Sequence, residues 1–301
     1  MPVLTVNDPL FRDIRRQSDS TTLAKLVTAI NAVPNLGALL LNASAAGNLK
    51  LIFDDVNIVD KGATFTQGVN GASDTIAFHS SAFKANIRDG TLAILLEAFA
   101  HEVEHYARKA EATEIESRLV DTQSGLSAAE RVEQYLDAML VHEGKSYYQG
   151  WLSLKAYASS PSGTISARAV AEKDSINEAV SNAHDEATRL GLSGEDRVNF
   201  VAQRVKGMVA AIRVEEGNYL DYYTNFAKRA INTDVDLDFV KNAIRAKFAV
   251  GSDIENIRGE YFDDGSSTEI IEYTDGRTVR TNLDENGTVT SRASIQVFEE
   301  D

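Results

Sequence analysis

The chain has 301 residues, 43% of them hydrophobic, with 12 Phe, 10 Tyr and one Trp, enough for one large core or two modest ones. A net charge of −15 argues against nucleic acid and against an anionic membrane surface as partners. Cysteine is absent, which excludes disulfides and thiolate metal ligands. No basic-plus-apolar leader or membrane-length apolar run is visible, so the expected location is cytoplasmic, or outside the cell by a route without a classical signal peptide.

In chain order, residues 1–20 are polar and mixed, with Arg12, Arg15 and Arg16 spaced as on a solvated helical face. Ser20-Thr21-Thr22 is a cap for a helix running to about Ala32 and stopped before Pro34. Leu36 to Ala46 reads as a second helix, ending near Gly47. Leu49–Phe53 is a strand, Val56 to Val59 continues it or returns, and Thr64–Thr66 is a short strand. Asp74–His79 alternates polar and apolar residues with period two, as a half-exposed strand does. His79 is a surface histidine in this reading, with a ligand role as the alternative.

The stretch from Glu97 to Tyr106 contains His101-Glu102-Val103-Glu104-His105. At about 100° per residue, the two histidines lie about 40° apart on one helical face. Leu92, Leu95, Leu96, Phe99, Val103, Tyr106 and Ala110 cluster near the opposite side. Asp89-Gly90-Thr91 supplies the start signal. One face is thus built for a core, and the other presents two imidazoles whose nitrogens can meet a Zn²⁺ at about 2.0–2.1 Å. The rival reading is a solvated face that carries two histidines. A di-iron bundle needs a second Glu-x-x-His, and the sequence holds none besides Glu102-x-x-His105.

His101-Glu102-x-x-His105 resembles the active-site helix of the zincin metallopeptidases, a likeness that covers this helix and, loosely, residues 49–150. The resemblance implies that His101 and His105 bind zinc and that Glu102 is the general base acting on a metal-bound water. Geometry alone leaves Glu104 in competition with Glu102. Glu97, one turn earlier, either orients an imidazole or pairs with a neighbouring helix. In zincins the strand before this helix is a sheet edge that pairs with an extended substrate, and Asp74–His79 holds that place here. The implied partner is a polypeptide substrate.

Families with a short spacer place their third ligand at the position of Glu111, but they turn sharply at a glycine where this chain has Arg108. Ser127-Ala-Ala-Glu130 is a capping box that opens a helix to about Ala158. In the thermolysin-like zincins, the gluzincins, the third ligand is a glutamate on such a later helix. That resemblance selects Glu143, with His142, Glu133 and Asp137 as alternatives. Gly144 would let helix backbones approach. The Asn-Glu-x-x-Ser-Asp pattern of several gluzincins is missing.

Beyond Pro161-Ser162-Gly163 the chain reads as helices over 165–190, 196–231 and 234–250. The last of these offers Val235, Leu237, Phe239, Val240, Ile244 and Phe248 for burial. The run Asn218–Tyr223 is aromatic enough to line a cleft. Tyr223 from this run, and Tyr147 with Tyr148 as its neighbour, are the candidate donors to the oxyanion of a tetrahedral intermediate. The last fifty residues place Asp264-Gly265, Asp275-Gly276 and Asn286-Gly287 between alternating segments, which predicts an antiparallel meander. This tail distantly resembles the Tyr-Asp-Gly-type repeats of large bacterial surface and toxin proteins, which implies an exported effector or a fragment of a larger secreted assembly.

The expected fold is α+β: mostly helical and zincin-like, with a small edge-stranded sheet before the metal-binding helix and a C-terminal β meander. The expected divisions are 1–160 (catalytic), 161–250 (helical) and 251–301 (tail). The expected function is zinc-dependent hydrolysis of peptide bonds. The alternative is a non-catalytic interaction module on a zincin scaffold.

Overall fold

Residues 3–56, 63–69, 71–81, 83–84, 92–162, 175–214, 217–231, 235–248, 251, 253–261, 266–284 and 289–296 are described by a computed structural model. Contacts divide the chain into two units, Met1–Lys109 with Gln149–Glu172, and Ala110–Tyr148 with Lys173–Asp301. The described residues form an α+β protein, mostly helical, ending in an antiparallel meander. No single helix among them is long and apolar enough to cross a membrane.

In the first unit a 3-10 turn, Pro9–Phe11, leads into α1 (Arg12–Arg15). The arginines there form the expected solvated face, while Leu10, Phe11 and Ile14 between them are buried in the core. Helix α2 (Ser20–Asn31) is capped one residue earlier than expected, because the Asp19 carboxylate accepts the Thr22 N–H at 2.8 Å. Pro34 opens α3 (Pro34–Ala46), where its missing N–H costs nothing, and Gly47 ends it at φ 68°.

Three strands follow: β1 (Leu49–Phe53), β2 (Ala63–Thr66) and β3 (Asp74–Phe78), in the order β1-β3-β2. β3 is parallel to β1, with Leu51 opposite Ile76, and antiparallel to β2, with Phe65 opposite Ile76. The substrate-pairing edge expected of β3 is therefore corrected: β3 is the central strand, and β2 lies at the margin. Its alternation misleads because Asp74, Ile76, Ala77 and Phe78 are all buried and only Thr75 is half covered. Helix α4 (Leu92–Ala107) packs on β2 and β3 through Leu95, Leu96, Phe99 and Val103, with the Phe78 and Phe99 rings 5.4 Å apart. Its expected start at Asp89-Gly90-Thr91, and residues 57–59, lie outside the described residues.

Helix α5 (Lys109–Val120) begins the second unit's elements, followed by α6 (Ala128–Ala158). The capping box forms reciprocally: Ser127 N–H donates to Glu130 Oε2 at 2.8 Å and Glu130 N–H donates to Ser127 Oγ at 3.2 Å. After Tyr148 the helix belongs to the first unit, where Leu154, Tyr157 and Ala158 join the core around α4. Helices α7 (Ser175–Arg189) and α8 (Gly194–Ala211) pack together; residues 165–174 of the expected first helix lie outside the described residues.

The single helix expected over 196–231 is two. Between α8 and α9 (Tyr219–Ile231) the chain forms a two-residue ladder, β4 (Arg213–Val214) with β5 (Gly217–Asn218). The chain leaves the helix at Ile212, where ψ is 127°, and Gly217 sits at φ 118°, a conformation that side-chain-bearing residues rarely adopt. Helix α10 (Leu237–Arg245) is capped by Asp236; it buries Val240 and Ile244 but leaves Phe239 exposed.

The tail is the expected meander: β6 (Ile254–Tyr261), β7 (Ser267–Tyr273), β8 (Arg277–Leu283) and β9 (Val289–Gln296), antiparallel in chain order. Gly276 at φ 80° makes the middle turn, while Asp264-Gly265 and Asn286-Gly287 lie outside the described residues. A four-stranded ribbon needs a packed face. Here β6 packs on α8, Asn218 Nδ2 donates to the Glu255 carbonyl at 3.0 Å, and Ile257, Ile270, Ile271 and Val279 are buried.

Candidate metal centre

Helix α4 is anchored on its apolar side, so its other side is fixed in rotation. There His101, buried, and His105, half-buried, point their Nε2 atoms at one another 3.0 Å apart, with the rings edge to face. Two nitrogens that share a tetrahedral zinc at about 2.0–2.1 Å stand about 3.3 Å from each other, so the pair is close to ligand spacing. The next side chain, Glu102, is held from the sheet: its Oε2 accepts the backbone N–H of Phe65 at 2.7 Å. Phe65 is opposite Ile76 in the ladder, and its N–H points away from β3, towards the outer side of β2. Glu104 instead pairs with Arg108 one turn on. The mirror symmetry that left the two glutamates equivalent in sequence is therefore broken by their partners.

The far end of α4 is tied down as well. Tyr106 Oη donates to Asn48 Oδ1 at 2.7 Å, and Lys109 pairs with the buried Asp74 at the start of β3.

Helix α6 meets α4 at a glycine. A Cβ on Gly150 would stand 3.1 Å from the Glu97 carbonyl oxygen, so the bare backbone is what allows the approach. The approach that Gly144 permits is to α8, where its Cβ would meet the Ala202 carbonyl at 2.9 Å. Glu143 precedes Gly150 by seven residues, two turns, and so shares its face. His101 and His105 follow Glu97 by one and two turns. Among the described residues, one donor atom each from His101, His105 and Glu143 lie within 4.8 Å of one another.

Glu143 is 3% exposed, and the Tyr223 hydroxyl on α9 donates to its Oε1. Tyr223 is buried too; loss of solvent first, and the Glu143 charge second, push its phenol well above the ordinary value of 10.0. A phenol has one proton to donate. While that hydrogen bond is made to Glu143, Tyr223 does not donate to a substrate oxyanion.

The other candidates have different neighbours. Glu133 pairs with Lys247, Asp137 with Lys206 at 2.6 Å, and Glu111 with Lys145 at 2.6 Å. His142 is buried outside the three-donor group. His79 Nδ1 is 2.8 Å from Ser81 Oγ, and the Tyr148 hydroxyl is 2.7 Å from His184 Nδ1. Tyr147, half-buried one turn after Glu143, sets its ring edge against Tyr219 with centroids 6.3 Å apart.

Two features escaped the sequence reading. The Phe65 N–H is a backbone group on a strand without a motif, and nothing in the sequence marks it. Gly150 did leave a signal: it falls seven residues after Glu143, on the face that a second helix must approach. Comparison with protein-family models, with curated proteins and with solved structures finds no match for this chain.

Proposed function

We propose that the chain is a metal-dependent hydrolase of peptide bonds, with a zinc ion held by His101, His105 and Glu143 in the manner of the zincins. The observation that carries this reading is the donor set, two imidazoles and one carboxylate within 4.8 Å; a second carboxylate, Glu102, follows His101 in the chain and is held by the Phe65 N–H. Two nitrogens and one oxygen suit a borderline divalent cation and leave a coordination position open for water. A cation bound there supplies a Lewis acid and a water of lowered pKa.

The chain's own groups do the rest. The Phe65 N–H holds Glu102 Oε2, which leaves Oε1 to take a proton from the attacking water and deliver it to the departing nitrogen. Among the described residues strand β2 ends the sheet, and its outer side carries the Phe65 N–H that Glu102 accepts. An extended polypeptide laid along that margin gains backbone hydrogen bonds irrespective of its side chains. This favours peptides over compact substrates.

Metal analysis of the purified protein should find about one zinc per chain. Glu102→Gln should keep that zinc and lower hydrolysis of an unfolded polypeptide by about 10²–10⁴-fold. An unchanged rate in this variant, or no metal in the wild type after zinc is supplied, would overturn the reading.

A further inference from the structure

We infer that Tyr223 is a positioning residue for Glu143: its hydroxyl holds one carboxylate oxygen, so that the other is presented to the cation bound with His101 and His105. The inference rests on the metal-site reading above and gives Tyr223 a role other than donor to the reacting carbonyl.

Three observations support it. The hydroxyl lies on Glu143 Oε1, and both side chains are buried, so the bond is formed away from water, where it is strongest. The ring is clamped. Tyr135 meets it edge-on at 6.1 Å, Tyr222 edge-on at 5.1 Å, and Tyr219 stacks at 6.2 Å, so the donor keeps one direction. Tyr135 is itself stacked on Phe226 at 5.7 Å, which passes the constraint back to the core of α9. A carboxylate with one oxygen committed to a phenol offers a cation one oxygen, in a set orientation. That arrangement selects three-point binding over a loose two-oxygen grip. Groups that orient a metal ligand in this way are commonly worth about 10–100-fold in metal affinity.

The test uses the full chain and Zn²⁺ alone, titrated in competition with a chromophoric chelator. Tyr223→Phe keeps the ring and its packing and removes only the donor. It should bind Zn²⁺ about 10–100-fold more weakly than wild type, while Tyr147→Phe binds as wild type does. Glu143→Ala and the double variant Glu143→Ala/Tyr223→Phe should have the same residual affinity, because Tyr223 acts only through Glu143. A merely structural role for Tyr223 would lower the affinity of the double variant further, and that result overturns the inference. So does wild-type affinity in Tyr223→Phe; in that case the metal site itself still stands, whereas a wild type that fails to bind Zn²⁺ removes both. Should Tyr223→Phe fail to fold, the comparison of Glu143→Ala with the double variant decides alone, since neither leaves a buried carboxylate without its phenol.

Discussion

The first unit buries Phe78, Phe83, Leu95, Leu96 and Phe99 completely, whereas the second covers Tyr135, Tyr223, Glu143, Lys145 and Lys206 almost as completely. An apolar interior is held by non-directional burial and tolerates substitutions that conserve volume. A polar interior is held by particular pairs, and each group left without its partner costs more than the pair was worth. The first unit therefore offers a rigid platform on which a local pattern, two histidines one turn apart, takes its geometry directly. The second fixes a single carboxylate by a tyrosine from a distant helix. Precision there comes from the polar contacts themselves.

The largest expected effect on stability tests that contrast directly. Asp137→Ala strands the Lys206 ammonium, whose side chain is 7% exposed, and should destabilise by about 3 kcal/mol in denaturant unfolding. The surface pair Arg12–Asp13 in the first unit serves as control: Asp13→Ala should cost less than about 0.5 kcal/mol. Similar losses in the two would erase the distinction between the interiors.

Next come the two glycines of α6. Alanine is the better helix former by about 1 kcal/mol, yet Gly144→Ala forces a Cβ within 2.9 Å of the Ala202 carbonyl and Gly150→Ala within 3.1 Å of Glu97. Both variants should lower the melting temperature, with a cost of about 1–3 kcal/mol, Gly144→Ala the more. A gain in melting temperature in either would show that the helices part without resistance.

The smallest effect concerns acid. Hydrogen bonds from Thr22, side chain first, hold the Asp19 carboxyl below its ordinary value of 3.8. Its stabilisation is present above that value and is lost as the pH falls through the folded pKa. Glu116 in the second unit is shifted the opposite way, raised above 4.5 by partial loss of solvent around its carboxyl; the residue is exposed as a whole, so its ionisation opposes folding at neutral pH only slightly, and that small penalty is relieved in acid. Asp19→Asn should therefore lower the melting temperature at pH 7, and the difference should shrink as the pH falls below 3.8. Glu116→Gln should raise it at pH 7, and that gain should vanish in acid. Like-signed changes at pH 7 would refute the opposing assignments.

How much was legible follows from range. The helix with His101 and His105, the Ser127–Glu130 capping box and the Asp275-Gly276 hairpin are written within a few residues, and the structure forms each of them. The break after Ala211 was missed because apolar residues continue beyond it, at Ile212, Val214 and Leu220, and periodicity does not register a single change of ψ. The place of β3 was missed because strand order is set by partners far away in the chain: Asp74–Phe78 takes β1 on one side and β2 on the other, and each pairing leaves the alternation unchanged.

Local spacing along one helix is enough to put two imidazoles on a common face opposite an apolar one, since a 3.6-residue repeat needs no knowledge of what lies beyond it. Which backbone N–H holds Glu102 and which phenol holds Glu143 were settled only by packing, because those partners are 37 and 80 residues away. No periodicity spans such distances. Only the packing of α4 on β2, and of α9 around Tyr223, selects one partner from several chemically equal ones.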